Sequence, residues 1–421
     1  MIPKWPVCGH GGCAAVRAPG AEHCWEHLPA PDGLSVALGK LTPGVDIDLR
    51  GTRLDGKLLG QILARLRDAA DKPLIGTMSC DYARFAGVAD FDKATFSGAA
   101  TFINCAFGDR ASFQEAVFDQ GADFADSIFD KDAVFTKTAF HGRTSFERCK
   151  FDRPLFRDLA LSSAEATFEH ASFEGGLVLE AVRGFGTLTL TGVHAPGDVQ
   201  VRANMGEVRC ERAKFGGRAR LQLTRGDLWL DNTVFAGPAT VESWRDPASA
   251  AACDPLVRIR SLQGVDAEHL TLSDVDLSHC LISRIYRPEE LRLAGHCKFD
   301  PTPRGWHLRW HWLPWRWTRR EALYEEHQWR GWAPASGPGG IGSSPEARQS
   351  DAARLSVLYR QLRRGLEEAR DEPGASDLYY GEMEMRRFST AGWDELWLLT
   401  AYWLVSGYGL RASRLPVARS P

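Results

Sequence analysis

The chain has 421 residues, more than one ordinary domain needs, and 25% of them are charged for a net charge of −3 at pH 7. It carries neither the basic bias of a nucleic-acid-binding protein nor a strong acidic bias. Met1 to Val16 shows no apolar signal-peptide core, and ten cysteines in a chain of this length read as reduced thiols, so a cytosolic protein without a disulfide framework is expected.

The N-terminus carries Cys8, Cys13, Cys24 and His27 at the spacing C-x4-C-x10-C-x2-H, with Gly9, Gly11 and Gly12 between the first pair. Three thiolates and one imidazole are the donor set of a closed tetrahedral zinc site, and glycine supplies the turns that bring such ligands together. Four protein ligands leave no open position, so the expected zinc is structural. His10 and His23 are alternative ligands, and a metal-free Cys-rich tail is the competing reading.

From Val45 to Leu59 a first repeat appears, with Leu49, Leu54 and Leu59 five apart and Ile47 and Thr52 two before the first two. Leu59, Ile62, Leu63 and Leu66 then follow at helical spacing through Ala70, and Pro73 closes the element. Such a helix would cap the open end of the coils that come next.

Those coils are announced by phenylalanine. Phe91, Phe102, Phe113, Phe124, Phe135 and Phe146 recur every eleven residues, and Phe96, Phe107, Phe118, Phe129, Phe140 and Phe151 form a second series offset by five. Small residues stand two before the rings: Ala89, Ala100, Ala111, Ala122, Ala133 and Thr144 in one series, Ala94, Cys105, Ala116, Ser127, Thr138 and Cys149 in the other. Two inward residues separated by one outward residue is strand geometry, repeated over a corner; spacings of five and six would carry apolar residues around a helix rather than down one face. A short fixed period over many copies marks a solenoid.

Segments such as Ala89-Asp90-Phe91 and Ala122-Asp123-Phe124 resemble the small-Asp/Asn-large core of the pentapeptide-repeat proteins, in the variant where Phe replaces Leu and every second repeat gains a residue. The resemblance implies a mainly β fold: a right-handed, four-sided β-helix. Cys24-Trp25-Glu26-His27-Leu28 is similar to a segment with which actinobacterial members of the family often begin. Past Phe156 the beat loosens through Phe168, Phe173 and Leu179, then Cys210, Phe215 and Leu221, then Leu230, Phe235 and Val241; Trp244 to Pro255 reads as an excursion. The beat returns at Leu272, Leu277 and Ile282 and ends at Cys297 and Phe299.

After Pro301 the composition changes. Trp306, Trp310, Trp312, Trp315, Trp317, Trp329 and Trp332 interleave with arginines, a mixture suited to packing on the solenoid's end, to a membrane interface, or less well to stacking on single-stranded nucleic acid. Pro334 to Ser350 reads as a linker; its Gly337-Pro338-Gly339-Gly340-Ile341-Gly342 fits a dinucleotide fingerprint but lacks the preceding strand. A helix is predicted from about Asp351 with Leu355, Leu358, Leu362 and Leu366 on one face, broken by Pro373 and Gly374, and a second one capped by Ser376.

Leu358 to Leu362, Tyr379 to Glu384 and Tyr402 to Gly409 resemble the part of pentapeptide-repeat membrane proteins that leads into their spanning helices. Here the apolar run Leu396 to Val405 falls short of the roughly 20 residues a span requires. Ser406-Gly407-Tyr408-Gly409 looks like a potassium filter but has no flanking spans.

The expected divisions are therefore 1–30, a Cys/His zinc motif; 31–75, first repeats and capping helix; 76–300, the β-helix; 301–350, a Trp/Arg-rich segment and linker; and 351–421, a helical module. No nucleophile elbow, P-loop or H-E-x-x-H motif is present, so a non-enzymatic scaffold is expected. It would bind a protein partner or touch the inner face of a membrane through Trp306, Trp310, Trp312, Trp315, Trp317, Trp393, Trp397 and Trp403, with nucleic acid disfavoured. Two alternatives stand beside it. One is a shortened relative of the membrane proteins. The other, implied by family members that imitate DNA and bind topoisomerase, is weakened by eight Lys/Arg among eleven Asp/Glu between Phe85 and Phe156.

Overall fold

The structure, a computed structural model, describes residues 5–29, 32–162, 165–244, 257–303, 306–308, 314–316, 319–333, 345–368 and 371–410, with backbone alone at 306–308, 314–316 and 345. Beyond Trp244 the expected excursion, 245–255, and the side chains of Trp306, Trp310, Trp312, Trp315 and Trp317 lie outside the described residues. The chain forms two compact units: Met1–Trp229 with Thr233–Ala239 and Trp244–Pro255, and Leu256–Pro421 with Leu230–Asn232 and Thr240–Ser243.

In the first unit the predicted ladder is a β-solenoid. Two-residue strands pair in parallel with their equivalents 22 residues on: Ala89 with Ala111 with Ala133, and Ala100 with Ala122 with Thr144. Each coil holds four rings, so four columns rise through the core. Phe85, Phe107, Phe129, Phe151 and Phe173 make one; Phe91, Phe113, Phe135 and Phe156 a second. Phe96, Phe118 and Phe140 make the third, and Phe102, Phe124, Phe146 and Phe168 the fourth. Centroids lie between 4.4 Å (Phe96–Phe118) and 5.1 Å (Phe91–Phe113), which is the spacing of paired strands. The backbone ladder thus sets the ring spacing, and rings of neighbouring columns meet edge to face, as Phe85 and Phe91 do at 81°.

The alternation of five and six residues comes from two kinds of corner. After each ring of the first series the second residue is left-handed: Lys93, Asn104, Glu115, Asp126, Lys137 and Arg148 have φ between 53° and 60°. The turn closes with a bond back to the ring residue, Ala94 N–H to Phe91 O at 3.1 Å and Ala116 N–H to Phe113 O at 3.0 Å. After rings of the second series one more residue is spent, and the left-handed residue found there is a glycine, Gly121 at φ 87° between Phe118 and Phe124. Polar atoms at the small inward positions are satisfied by carbonyls of the preceding coil: Thr138 Oγ1 donates to Phe113 O at 2.8 Å and Cys149 Sγ to Phe124 O at 2.9 Å.

Helix α1 (Asp32–Gly39) buries Ala37 and Leu38 and has no counterpart among the sequence expectations. Helix α2 (Gly56–Arg65) is the expected cap. In the first coil it fills the place that strand Ala89–Asp90 fills in the second, packs on that strand, and buries Leu59, Ile62 and Leu63. Its N-cap is Asp55, whose carboxylate accepts from Leu58 N–H at 2.7 Å. It ends before Ala70 because the Asp68 side chain turns the chain, accepting from Ala70 and Lys72 N–H, and Leu74 N–H bonds Leu66 O.

The second unit opens with further parallel coils, Val257 on Val275 and Leu272 on Leu293. Two short antiparallel pairs follow, Asp300–Pro301 with Glu321–Ala322 and Trp306–Leu308 with Pro314–Arg316. Helix α3 (Tyr324–Arg330), α4 (Pro345–Glu368), α5 (Glu372–Ser389) and α6 (Trp393–Ser406) complete it, with α4 and α5 packed as the expected hairpin. One expectation is corrected here. Pro373 and Gly374 lie inside the first turn of α5, capped by Asp371 rather than Ser376, because proline at the second helical position gives up an N–H that has no helical acceptor. Ser406-Gly407-Tyr408-Gly409 is a helix stop: Gly407 is left-handed, and Tyr408 turns inward, its hydroxyl donating to Glu384 Oε1 at 3.0 Å.

Candidate metal centre

Cys8 lies in the first arm of a small hairpin, held by Cys8 N–H to Ala15 O at 2.8 Å and by the Val7–Val16 bridge. Gly12, at φ 81°, makes the tight turn that returns Cys13 toward it. Cys24 and His27 come from the following turn, closed by His27 N–H to Cys24 O at 3.0 Å. The sequence-predicted ligands are therefore brought together, and their donor atoms all lie within 4.8 Å of one another.

The separations suit one small ion. Cys13 Sγ and Cys24 Sγ are 3.8 Å apart, Cys24 Sγ and His27 Nδ1 3.3 Å, and Cys8 Sγ and His27 Nδ1 3.7 Å. Tetrahedral bonds of about 2.3 Å to sulfur and about 2.0–2.1 Å to nitrogen imply edges of roughly 3.8 Å between sulfurs and roughly 3.6 Å between sulfur and nitrogen. Two backbone N–H groups aim at Cys8 Sγ, from Cys24 at 3.2 Å and His10 at 3.5 Å. Burial pushes the Cys8 thiol up, but these bonds overcome it and hold the group at about 7, the direction a ligand thiol requires. Burial carries Cys24 the other way, up to about 12. Among the described residues His10 and His23 do not join the cluster: His10 stacks on the His27 ring at 4.2 Å and orients it.

Of the other described cysteines Cys297 is half-buried, with its thiol raised by burial, and the remaining five are structural. Cys80, Cys105, Cys149, Cys210 and Cys280 sit inside the coils, where burial drives their thiols far above the ordinary range.

The family model for pentapeptide repeats (9 copies) matches residues 81–128, the stretch in which the four ring columns are most regular. The chain carries a pentapeptide-repeat solenoid. Comparison with curated proteins and with solved structures finds no match. Pentapeptide-repeat solenoids are in general structural and interaction scaffolds rather than enzymes, and this one carries a Cys3His cluster able to hold a metal ion.

Sequence reasoning missed a second constellation, in the helical module that follows the pentapeptide-repeat solenoid in the sequence. Glu326 is fully buried on α3 and takes Arg320 Nη2 at 2.6 Å, Arg330 Nε at 2.6 Å and the Tyr359 hydroxyl at 2.5 Å. Glu384 on α5 takes Arg330 Nη2 at 3.1 Å, Arg387 Nη2 at 3.0 Å and Tyr408. Burial raises the Glu326 carboxyl, but the guanidinium groups outweigh it and hold it at about 2. No motif announces this network, because its members are far apart in sequence and each looks like a solvated charge. Of the described tryptophans, Trp329 is buried with Nε1–H on Arg348 O at 3.0 Å and Trp403 donates to Tyr380 Oη at 2.8 Å, whereas Trp393 and Trp397 face outward.

Proposed function

We propose that the chain is a non-catalytic scaffold in which Cys8, Cys13, Cys24 and His27 hold a structural zinc and helix α6 lies against a membrane interface. Donor chemistry supports zinc: three sulfurs and an imidazole at tetrahedral spacing suit a borderline-soft ion in a closed site. The observation that carries the membrane reading is the surface of α6. Trp393 is 75% exposed, Trp397 68%, Leu398 70%, Val405 51%, Leu404 48% and Tyr402 41%.

Past Glu395 the exposed side of this helix is apolar, and a groove of about 560 Å³ beside it is walled by Met383, Leu398, Leu399, Ala401, Tyr402 and Val405 together with the paired Arg386 and Glu395. Water is a poor solvent for such a surface. Indole and phenol rings partition to the headgroup level of a bilayer, and Arg411, Arg414 and Arg419 follow in the sequence as cations for anionic lipid. Among the described residues no helix is long and apolar enough to cross a membrane, so the contact proposed is along the surface.

Flotation with vesicles of phosphatidylglycerol and phosphatidylcholine tests it. The full chain is expected to float with the vesicles, and the Trp397→Glu/Leu398→Glu variant to stay at the bottom with unchanged helix content. A wild-type chain that stays at the bottom would refute the membrane contact and leave a protein partner for α6. The topoisomerase-binding alternative needs an unbroken acidic face, which cross-coil pairs such as Arg148–Asp126, Arg153–Asp132 and Arg157–Glu180 interrupt.

A further inference from the structure

The Cys/His knuckle also meets the first coil of the solenoid, at the turn Arg50–Gly51 that follows the coil's first strand. That strand, Ile47–Asp48, pairs with Met78–Ser79 on one side and ends its sheet on the other. An open sheet edge offers its backbone to any other chain, and folded proteins cover such edges. Here Val16 N–H, which points out of the knuckle hairpin, donates to Arg50 O at 2.9 Å. Ala14 approaches Gly51 so closely that a Cβ there would lie 3.2 Å from its carbonyl oxygen. The Arg50 guanidinium lies over the Trp5 ring at 5.0 Å, and Trp5 in turn packs on Tyr82 and donates to Ala14 O.

The knuckle has little apolar material of its own; Ala15, Val16, Ala18 and Trp25 are buried beside Cys8 and Cys24. A piece this small does not stay folded on apolar burial, and closing a set of metal ligands supplies what burial lacks. The coupling to the solenoid is direct in sequence: the ligand Cys13 immediately precedes Ala14, Ala15 and Val16, the residues that meet the first coil.

We infer that the Cys8–Cys13–Cys24–His27 site is the lock of an edge cap: a filled site holds Ala14–Val16 against Arg50 and Gly51, and an emptied site uncovers the edge of the first coil. This rests on the zinc reading of the cluster, and the experiment separates the two. Hydrogen exchange is followed by mass spectrometry on the full chain as purified, after 1,10-phenanthroline, and after zinc is added back, with metal content measured in parallel. One zinc per chain is expected, and chelation removes protection from 5–29 and from 47–52 together, reversibly, while 85–156 keeps its protection. Val16→Pro deletes the N–H that reaches Arg50 and spares the hairpin's own bonds, so it is expected to keep the zinc and lose protection at 47–52 alone. Should chelation expose 5–29 and leave 47–52 protected, the cap is overturned and the zinc site stands. A chain that neither contains nor takes up zinc overturns both.

Discussion

Gly142 and Gly108 occupy corners of the same solenoid, and the room around them differs. A Cβ on Gly142 would lie 2.3 Å from the Gln120 carbonyl carbon and 2.4 Å from its oxygen, both backbone atoms that cannot swing aside. At Gly108 the nearest atom is Phe85 O, at 3.5 Å, an ordinary contact. Gly142→Ala is therefore expected to destabilise the chain by about 1–3 kcal/mol, as overpacking does, whereas Gly108→Ala is neutral or stabilises by up to about 1 kcal/mol through the unfolded chain. Urea unfolding of the two variants checks the difference, and equal midpoints would contradict it. At this scale the inward residues were legible in the sequence, because Phe and its small partner recur at fixed spacing. The left-handed corners were not. Lys93, Glu115, Lys137 and Arg148 occupy them, and a backbone angle imposed by the coil leaves no trace in residues that normally avoid it.

The repeating element is the coil, and its stability comes from columns rather than from a centre. Phe113 stacks on Phe91 at 5.1 Å and on Phe135 at 4.9 Å, and meets Phe107 and Phe124 edge to face. Truncating it opens a void in the middle of a column, which neighbouring coils cannot close without breaking their own ladders. Phe113→Ala is expected to cost roughly 3–5 kcal/mol. Phe113→Leu should cost much less, since Leu161 and Leu179 end two of the columns in place of Phe without loss of pairing. Thermal melts of the pair measure this, and a Leu variant as damaged as the Ala variant would show that ring stacking, rather than apolar volume, holds the coil. Among the other elements, α6 was placed from its apolar run and α2 from its spacing, but α5 was started too late. Pro373 reads as a breaker unless the helix is known to begin at Glu372, and that start depends on the Asp371 cap.

Taken whole, the molecule contains two kinds of interior. The four-column core of the first unit is apolar, and its thiols stay protonated far above neutral pH, so acid changes nothing inside it. The helical module of the second unit instead buries Glu326 among Arg320, Arg330 and Tyr359. The Glu326 carboxyl falls from an ordinary 4.5 to about 2 on folding, so the unfolded chain binds its proton more readily than the folded one. The stability this contributes is complete above pH 4.5 and is lost as the pH falls toward 2. On the solenoid surface the Asp126 carboxylate is also lowered by Arg148, but that pair is exposed and contributes little. Hydrogen exchange at pH 6 and pH 3, corrected for the intrinsic pH dependence of exchange, is expected to show 345–389 losing protection in acid while 91–146 keeps it. Glu326→Gln leaves the Arg320 guanidinium buried without its carboxylate and Arg330 with Glu384 in place of two anions, and breaking a buried pair in this way costs about 3–5 kcal/mol. The variant should therefore exchange faster in 345–389 already at pH 6 and show a smaller further loss at pH 3. Equal acid sensitivity in wild type and variant would mean that other carboxylates of the module carry its response.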